Sequence, residues 1–341
     1  MHGTGSSDAR DLVELRPDGL YCAAGDFHID PWQPVPRAVI THGHGDHARA
    51  GMGEYHCTDE TLPILRWRLG EQRYVAHAYG EAFELNGARV SLHPAGHVLG
   101  SAQIRVEAGG AVWVVSGDYK RQPDPTCAPF EVVPCDVFIT EATFGLPVYR
   151  WPETPDVVAE IVDWRRQCAR RGEAAVLFCY ALGKAQRVLT ELAARDDARD
   201  EPPPLLHGAI AAGVEVYRGA GVAMVATEAV SEQRTRDGHA GRLVLAPPSA
   251  MGTPWLRRFR RAQQGFASGW MRIRGNRRRR NFDRGFVISD HADWPDLLRT
   301  IEQTGARRVI ATHGDTDALV RVLVERGVAA EALRTAFGGE A

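Results

Sequence analysis

Apolar residues along this chain come in short β-favouring runs, and several of those runs stop at a glycine, an aspartate or a histidine. Residues 12–29 read as early strands with turns at Pro17-Asp18-Gly19 and Ala24-Gly25-Asp26. Phe27-His28-Ile29 alternates up to Asp30 and Pro31, and Val39-Ile40 forms a brief run ending at Thr41. Residues 62–69 read as a short helix, and residues 88–92, 112–116 and 137–140 as strands. The pattern then changes. Thr154-Pro155 opens an amphipathic helix over 157–170 that Gly172 stops, and residues 174–180 form a buried strand. That strand leads through Ala181-Leu182-Gly183 into a helix from 184 to about 195. Residues 204–207, a helix near Ala209 and residues 243–245 continue the alternation, which predicts a small parallel α/β unit. Beyond residue 284 come a strand over 285–288, a helix over 295–303 and a last strand over 308–311.

The chemistry collects at strand ends. Directly after Thr41 stand His42, His44, Asp46 and His47, spaced by Gly43 and Gly45. Three imidazoles and a carboxylate offer nitrogen and oxygen donors suited to zinc or a similar divalent ion. The glycines allow the tight backbone that turns these groups toward one point. One tetrahedral ion cannot easily use four groups so closely spaced, so two adjacent ions are expected. Further strand exits carry His97, in Pro94-Ala95-Gly96-His97, and Asp118, in Gly117-Asp118-Tyr119-Lys120. A carboxylate at the latter exit can bridge two cations. Glu141, His291 and His313 close the remaining strands.

The pattern His-x-His-x-Asp-His after a strand resembles the signature of the metallo-β-lactamase superfamily. Glu141-Ala142-Thr143-Phe144-Gly145 resembles the first added motif of its β-CASP nucleases, which act on DNA or RNA. The resemblance implies an α/β fold, a metallo-β-lactamase αββα sandwich carrying an inserted α/β β-CASP domain. Residues 1–150 and 285–341 would form the sandwich and 151–284 the insertion. It implies a first ion on His42, His44 and His97, a second on Asp46, His47 and His313, and Asp118 bridging them, with Asp30 bracing the metal loop. Glu141 would orient His291, which would bind a phosphate oxygen or protonate the leaving oxygen, so Asp46, Asp118, Glu141 and His291 form the expected catalytic set. Two such ions activate water and clamp a phosphodiester for in-line attack. Zinc suits the histidine-rich set, and manganese or iron could use the same donors. A histidine at position 313, where some DNA-repair members carry an apolar residue, is similar to the bacterial and RNA-processing type. Residues 19–30, 116–130, 266–280 and 286–295 resemble the bacterial DNA ligase-associated exonucleases. That branch implies a 5′→3′ DNA exonuclease in DNA repair, working alongside an ATP-dependent DNA ligase and a helicase. An RNA-processing nuclease of the same fold is the alternative.

Composition narrows the partners. With 44% hydrophobic and 25% charged residues the chain is an ordinary globular protein, and a net charge of −2 leaves only a local patch for nucleic acid. Arginines interleave with Trp255, Phe259, Phe266 and Trp270, and Arg277, Arg278, Arg279 and Arg280 run consecutively. Arginine forks suit phosphates and aromatic faces can stack on bases. The two lysines of the chain, Lys120 and Lys184, stand beside the expected bridging aspartate and at a helix start, where a point charge could meet an anion. A thioester or lactam hydrolase shares the metal motif but has no use for the insertion or the arginines. No apolar run approaches the roughly 20 residues of a membrane span, and residues 1–10 lack a signal peptide's apolar core. Six scattered cysteines read as reduced thiols, so a cytoplasmic protein with no membrane partner is expected.

Overall fold

The short apolar runs form strands in the computed structural model, which describes residues 11–230, 239–273, 275 and 282–333. Among the described residues the strands make three sheets. The first runs in chain order through β1 (Glu14–Arg16), β2 (Gly19–Cys22), β3 (Phe27–Ile29), β4 (Ala38–Val39), β5 (Tyr55–Thr58) and β6 (Tyr74–His77). It is antiparallel as far as β3 and parallel from there to β6. The short helix α1 (Leu62–Leu69) lies on its outer face, where Leu65 joins Ala38, Ile40, Tyr55 and Cys57.

In the second sheet β7 (Ala82–Leu85), β8 (Ala88–Pro94), β9 (Ala102–Ala108) and β10 (Ala111–Val115) are antiparallel, and β11 (Val137–Ala142) adds parallel to β10. The chain then leaves this sheet. Helices α2 (Thr154–Arg170), α3 (Lys184–Ala193) and α4 (Gly208–Gly219) pack on one face of a third sheet. Its strands are β12 (Ala174–Phe178), β13 (Leu205–Leu206), β14 (Glu228–Ala229), β15 (Leu243–Ala246), β16 (Ala262–Ala267) and β17 (Arg284–Phe286). Their order is β14-β13-β15-β12-β16-β17, with every pair parallel. Helix α5 (Trp294–Thr304) follows, and β18 (Arg308–Gly314) returns to the second sheet beside β11, Val137 opposite Arg308. Helix α6 (Thr316–Glu325) and β19 (Ala329–Ala332) complete that edge.

The first two sheets face each other across Leu20, Phe27, Ile29, Val39, Val90, Leu92, Ile104, Val106, Val115 and Ile139. Each large apolar side chain buried there contributes roughly 1.5–3 kcal/mol. Helices α5 and α6 cover the outer face of the second sheet through Trp294, Ile301, Leu319 and Leu323. The layering is therefore helix, sheet, sheet, helix. The third sheet has its own core, with Val158, Ile161, Val188, Leu189 and Val214 on one face.

Several elements differ from the sequence reading. Strands β5, β6, β7, β9, β14 and β16, and helix α6, were not expected, and β19 follows the strand at 308–311 that the sequence reading made the last. Strand β16 runs through the stretch read as arginines and stacking aromatics. Phe266 on β16 and Phe259 before it are buried in the core, so neither presents a face to a base.

Candidate metal centre

The donors gather where the strands end. Strand β4 ends at Val39, the Ile40 amide still donates to the His56 carbonyl at 2.8 Å, and the chain then turns through Gly43 and Gly45, bringing His42, His44, Asp46 and His47 back toward the exits of β8 and β10. One donor atom from each of His42, His44, His97 and Asp118 lies within 4.8 Å of all the others. His44 Nδ1 is 3.1 Å from His42 Nε2 and 3.0 Å from His97 Nε2. Nitrogens about 2.0–2.1 Å from a tetrahedral zinc stand roughly 3.3 Å apart, so this trio has the spacing of a metal face.

Hydrogen bonds decide which nitrogen each ring turns inward. Thr41 Oγ1 donates to Asp30 Oδ2 at 2.5 Å and so accepts from His42 Nδ1 at 3.0 Å, leaving Nε2 with its lone pair. His44 Nε2 donates to the Leu182 carbonyl at 3.2 Å, and His97 Nδ1 donates to the Asp290 carbonyl at 2.6 Å. All three rings thus present a lone pair to one point. Burial, followed by the neighbouring imidazoles, holds His42 and His97 well below the usual imidazole range. Neutral imidazole is the ligating form, and the residues fit a divalent ion.

Asp118 Oδ2 lies 3.5 Å from His42 Nε2, 3.7 Å from His97 Nε2 and 3.5 Å from His47 Nε2, between the trio and a second set. In that set His47 Nε2 is 3.7 Å from Asp46 Oδ2, and the His47 and His313 ring centroids are 5.7 Å apart. A cleft opens here, lined by Asp46, His47 and His313 above Leu20, Ile29 and Val115. His313 is held in the left-handed backbone region, φ 55°. Asp30 accepts from His47 Nδ1 at 2.7 Å and from the Thr41 amide at 2.8 Å, so it ties the loop's start to its last histidine. Burial opposes charge on His47, yet Asp118 and Asp30 outweigh it and push His47 up to about 10. Burial pushes Asp118 itself up to about 7, with His47 opposing. The acids here require positive charge nearby, which a bound cation or a proton on His47 can supply.

Glu141 and His291 lie beside this pair of sets. Glu141 Oε2 accepts from His291 Nδ1 at 2.8 Å and Oε1 accepts from the Tyr119 amide at 2.7 Å. Both side chains are buried, and one donor atom from each stands within 4.8 Å of the other and of Asp118. The ring of Phe144 meets His291 edge-on at 5.9 Å.

The two lysines require correction. Lys120 is 1% exposed and bonded to Asp124, and Lys184 is 2% exposed and 3.0 Å from Asp290. They neutralise buried carboxylates instead of standing on a surface where a nucleic acid could reach them. Arg277, Arg278, Arg279 and Arg280 lie outside the described residues. Sequence reasoning missed Thr41, whose place between Asp30 and two histidines had the signal of a hydroxyl at a strand end. It also missed Asp290 and the Leu182 carbonyl, and the latter has no sequence signal, since every residue carries a carbonyl.

The facing sheets, the donors at their strand ends and the inserted parallel sheet are the metallo-β-lactamase αββα fold with a β-CASP-type insertion. No family model matches the chain. A probable DNA ligase of Opitutus terrae is 31% identical over 320 residues, covering 92% of this chain and 30% of that protein. The endoribonuclease YSH1 of Eremothecium gossypii is 31% identical over 192 residues, 44% of this chain and 25% of its own length. An RNase J-like protein of Methanocaldococcus jannaschii is 25% identical over 179 residues, 46% of this chain and 42% of its own. The chain spans less than half the length of each of these relatives. A crystal structure of a protein of unknown function from Enterococcus faecalis shares the fold, with a TM-score of 0.57 at 12% identity over 89% of this chain and 80% of that one. No helix among the described residues is long and apolar enough to cross a membrane.

Proposed function

We propose that this chain is a metal-dependent phosphodiesterase that degrades DNA from a 5′ end in DNA repair, acting in the cytoplasm. The observation that carries the reading is Asp118 Oδ2, 3.5 Å from a histidine of each donor set and beside the Glu141–His291 pair. His42, His44 and His97 would hold one divalent ion and Asp46, His47 and His313 another, with Asp118 shared and zinc preferred over manganese or iron. Such ions acidify water and neutralise phosphodiester oxygens. The chain's own groups do the rest. Thr41 and Asp30 fix the tautomers of His42 and His47. Glu141 accepts from Nδ1 of His291 and would stabilise the imidazolium, whose Nε2–H would then protonate the leaving oxygen.

DNA is preferred because the similarity to a protein named a DNA ligase runs through 92% of the chain, insertion included. It also supports work beside a ligase. RNA processing is the second reading, favoured by the names of the ribonuclease relatives, whose similarity covers 44% and 46% of the chain. A time course on matched 5′- and 3′-labelled single strands of DNA and RNA, with added zinc or manganese, tests both. Mononucleotides released first from the 5′ end of DNA are expected. Faster cleavage of RNA, or unhindered degradation of DNA blocked at its 5′ end, overturns the DNA exonuclease reading. Absence of any metal-stimulated cleavage overturns the nuclease reading itself.

A further inference from the structure

The turn at residues 181–183, where β12 gives way to α3, lies against the metal centre although it belongs to the inserted unit. Its Leu182 carbonyl accepts from His44 Nε2 at 3.2 Å. Gly183 adopts φ +89°, and a Cβ there would stand 2.5 Å from Val98 Cγ1, so the turn packs against the residue next to His97. Gln186 locks the turn from below, accepting from the Gly183 amide at 2.8 Å and donating to the Ala181 carbonyl at 2.9 Å. On α4 the Tyr217 hydroxyl accepts from the Leu99 amide at 3.2 Å. His97, Val98 and Leu99 thus carry an insertion contact on both following residues.

A second arm runs through charge. Lys184 Nζ is 3.0 Å from Asp290 Oδ2, and Arg187 Nη1 donates to the Ser289 carbonyl at 2.7 Å. These two cations of α3 hold the segment whose Asp290 carbonyl accepts a hydrogen bond from His97 Nδ1 at 2.6 Å. A partner on the far nitrogen of a ligating histidine fixes its tautomer and its aim.

The geometry points to the inserted unit as part of the first metal site: the 181–183 turn and Lys184 position His44 and His97, so that this ion's affinity depends on the insertion being docked. Lys184 acts through Asp290 and is a positioning residue. The inference rests on the metal reading given above, though not on the identity of the substrate.

The test uses the full chain, stripped of metal and titrated with zinc against a chromogenic chelator. Metal content is counted on the loaded protein, and the cobalt-loaded form is followed by its visible spectrum. Lys184→Met keeps the length of the side chain and removes its charge. It is expected to weaken one of two zinc ions by about 10-fold, the low end of the effect of losing an outer partner because the Asp290 carbonyl itself remains, and to alter the cobalt spectrum, with the other ion unchanged. Asp290→Asn keeps the backbone carbonyl while loosening its anchor, and it is expected to act in the same direction if Lys184→Met does not fold. Melting of the metal-free proteins separates a folding defect from a lost ligand geometry. Folded variants that bind both ions with the parent's affinity and spectrum overturn the inference and leave the nuclease reading standing. A parent protein that binds no zinc overturns both.

Discussion

Asp118 is a buried carboxylate at the end of β10 with His42 and His47 each 3.5 Å from its Oδ2, so its charge counts toward both donor sets. Asp118→Asn keeps the shape and removes that charge. The expected protein folds, holds one ion or fewer in place of about two, and loses hydrolysis by more than about 100-fold, the upper effect of removing only an outer partner. Metal analysis and turnover on labelled DNA measure this, and parent-like activity in the variant would sink the bridging role. The donors of the metal loop were legible because four of them stand within six positions, spaced by glycines that only a tight turn needs. The lysines misled because a rare residue type says nothing about burial. Lys120 and Lys184 answer Asp124 and Asp290, partners recognisable only once the chain is folded. Thr41 lay between the two cases: its place at a strand end was visible, while its bonds to Asp30 and His42 needed coordinates.

The elements set these side chains by where strands stop. Strands β10, β11 and β12 were legible because their runs are nearly continuous in apolar residues, and β8 because Ala88, Val90 and Leu92 alternate with Arg89, Ser91 and His93. Strands β6 and β7 carry half-buried and exposed residues, and β16 opens with Ala262, Gln263 and Gln264 amid arginines, so pairing and not hydrophobicity makes them strands. The β10 exit shows how little room a strand end has. Gly117 adopts φ +55°, and a Cβ there would stand 2.7 Å from the Thr41 Cβ. Left-handed backbone costs a residue with a side chain about 1–2 kcal/mol, and the contact adds to it. Gly117→Ala is therefore expected to lower the melting temperature and to weaken zinc binding together, because Thr41 is what orients Asp30 and His42. Calorimetry and chelator competition on one preparation check this. A lower melting temperature with unchanged zinc affinity would confine the glycine's role to the backbone.

At the scale of the whole molecule, the sandwich and the insertion meet through an apolar patch of Ile64, Leu99, Leu182 and Tyr217 and through a buried seam of charge. Lys120 and Asp124 come from the segment after β10, Lys184 and Arg187 from α3, and Asp290 from the segment after β17. The seam was illegible in the sequence because its members span 170 positions, 120 to 290, and only the return of the chain joins them. It makes stability depend on acid. Burial pushes the Asp124 carboxyl up, but Lys120 and Arg187 outweigh this and hold it at about 2, below its ordinary 3.8. A carboxyl depressed on folding binds its proton more readily in the unfolded chain. Its stabilisation is fully present above about pH 4 and is lost as the pH falls toward 2. The double variant Asp124→Asn, Lys120→Met removes the carboxylate and one of its two cations and leaves the buried Arg187 with Asp290, 4.0 Å away, so at neutral pH it should lie somewhat below the parent. Between pH 5 and pH 2.5 the metal-free parent should lose urea stability more steeply than the metal-free double variant. The unfolding midpoints of the two, compared at each pH, measure the difference. Parallel curves would show that acid acts elsewhere and that the seam does not govern how the two units stay together.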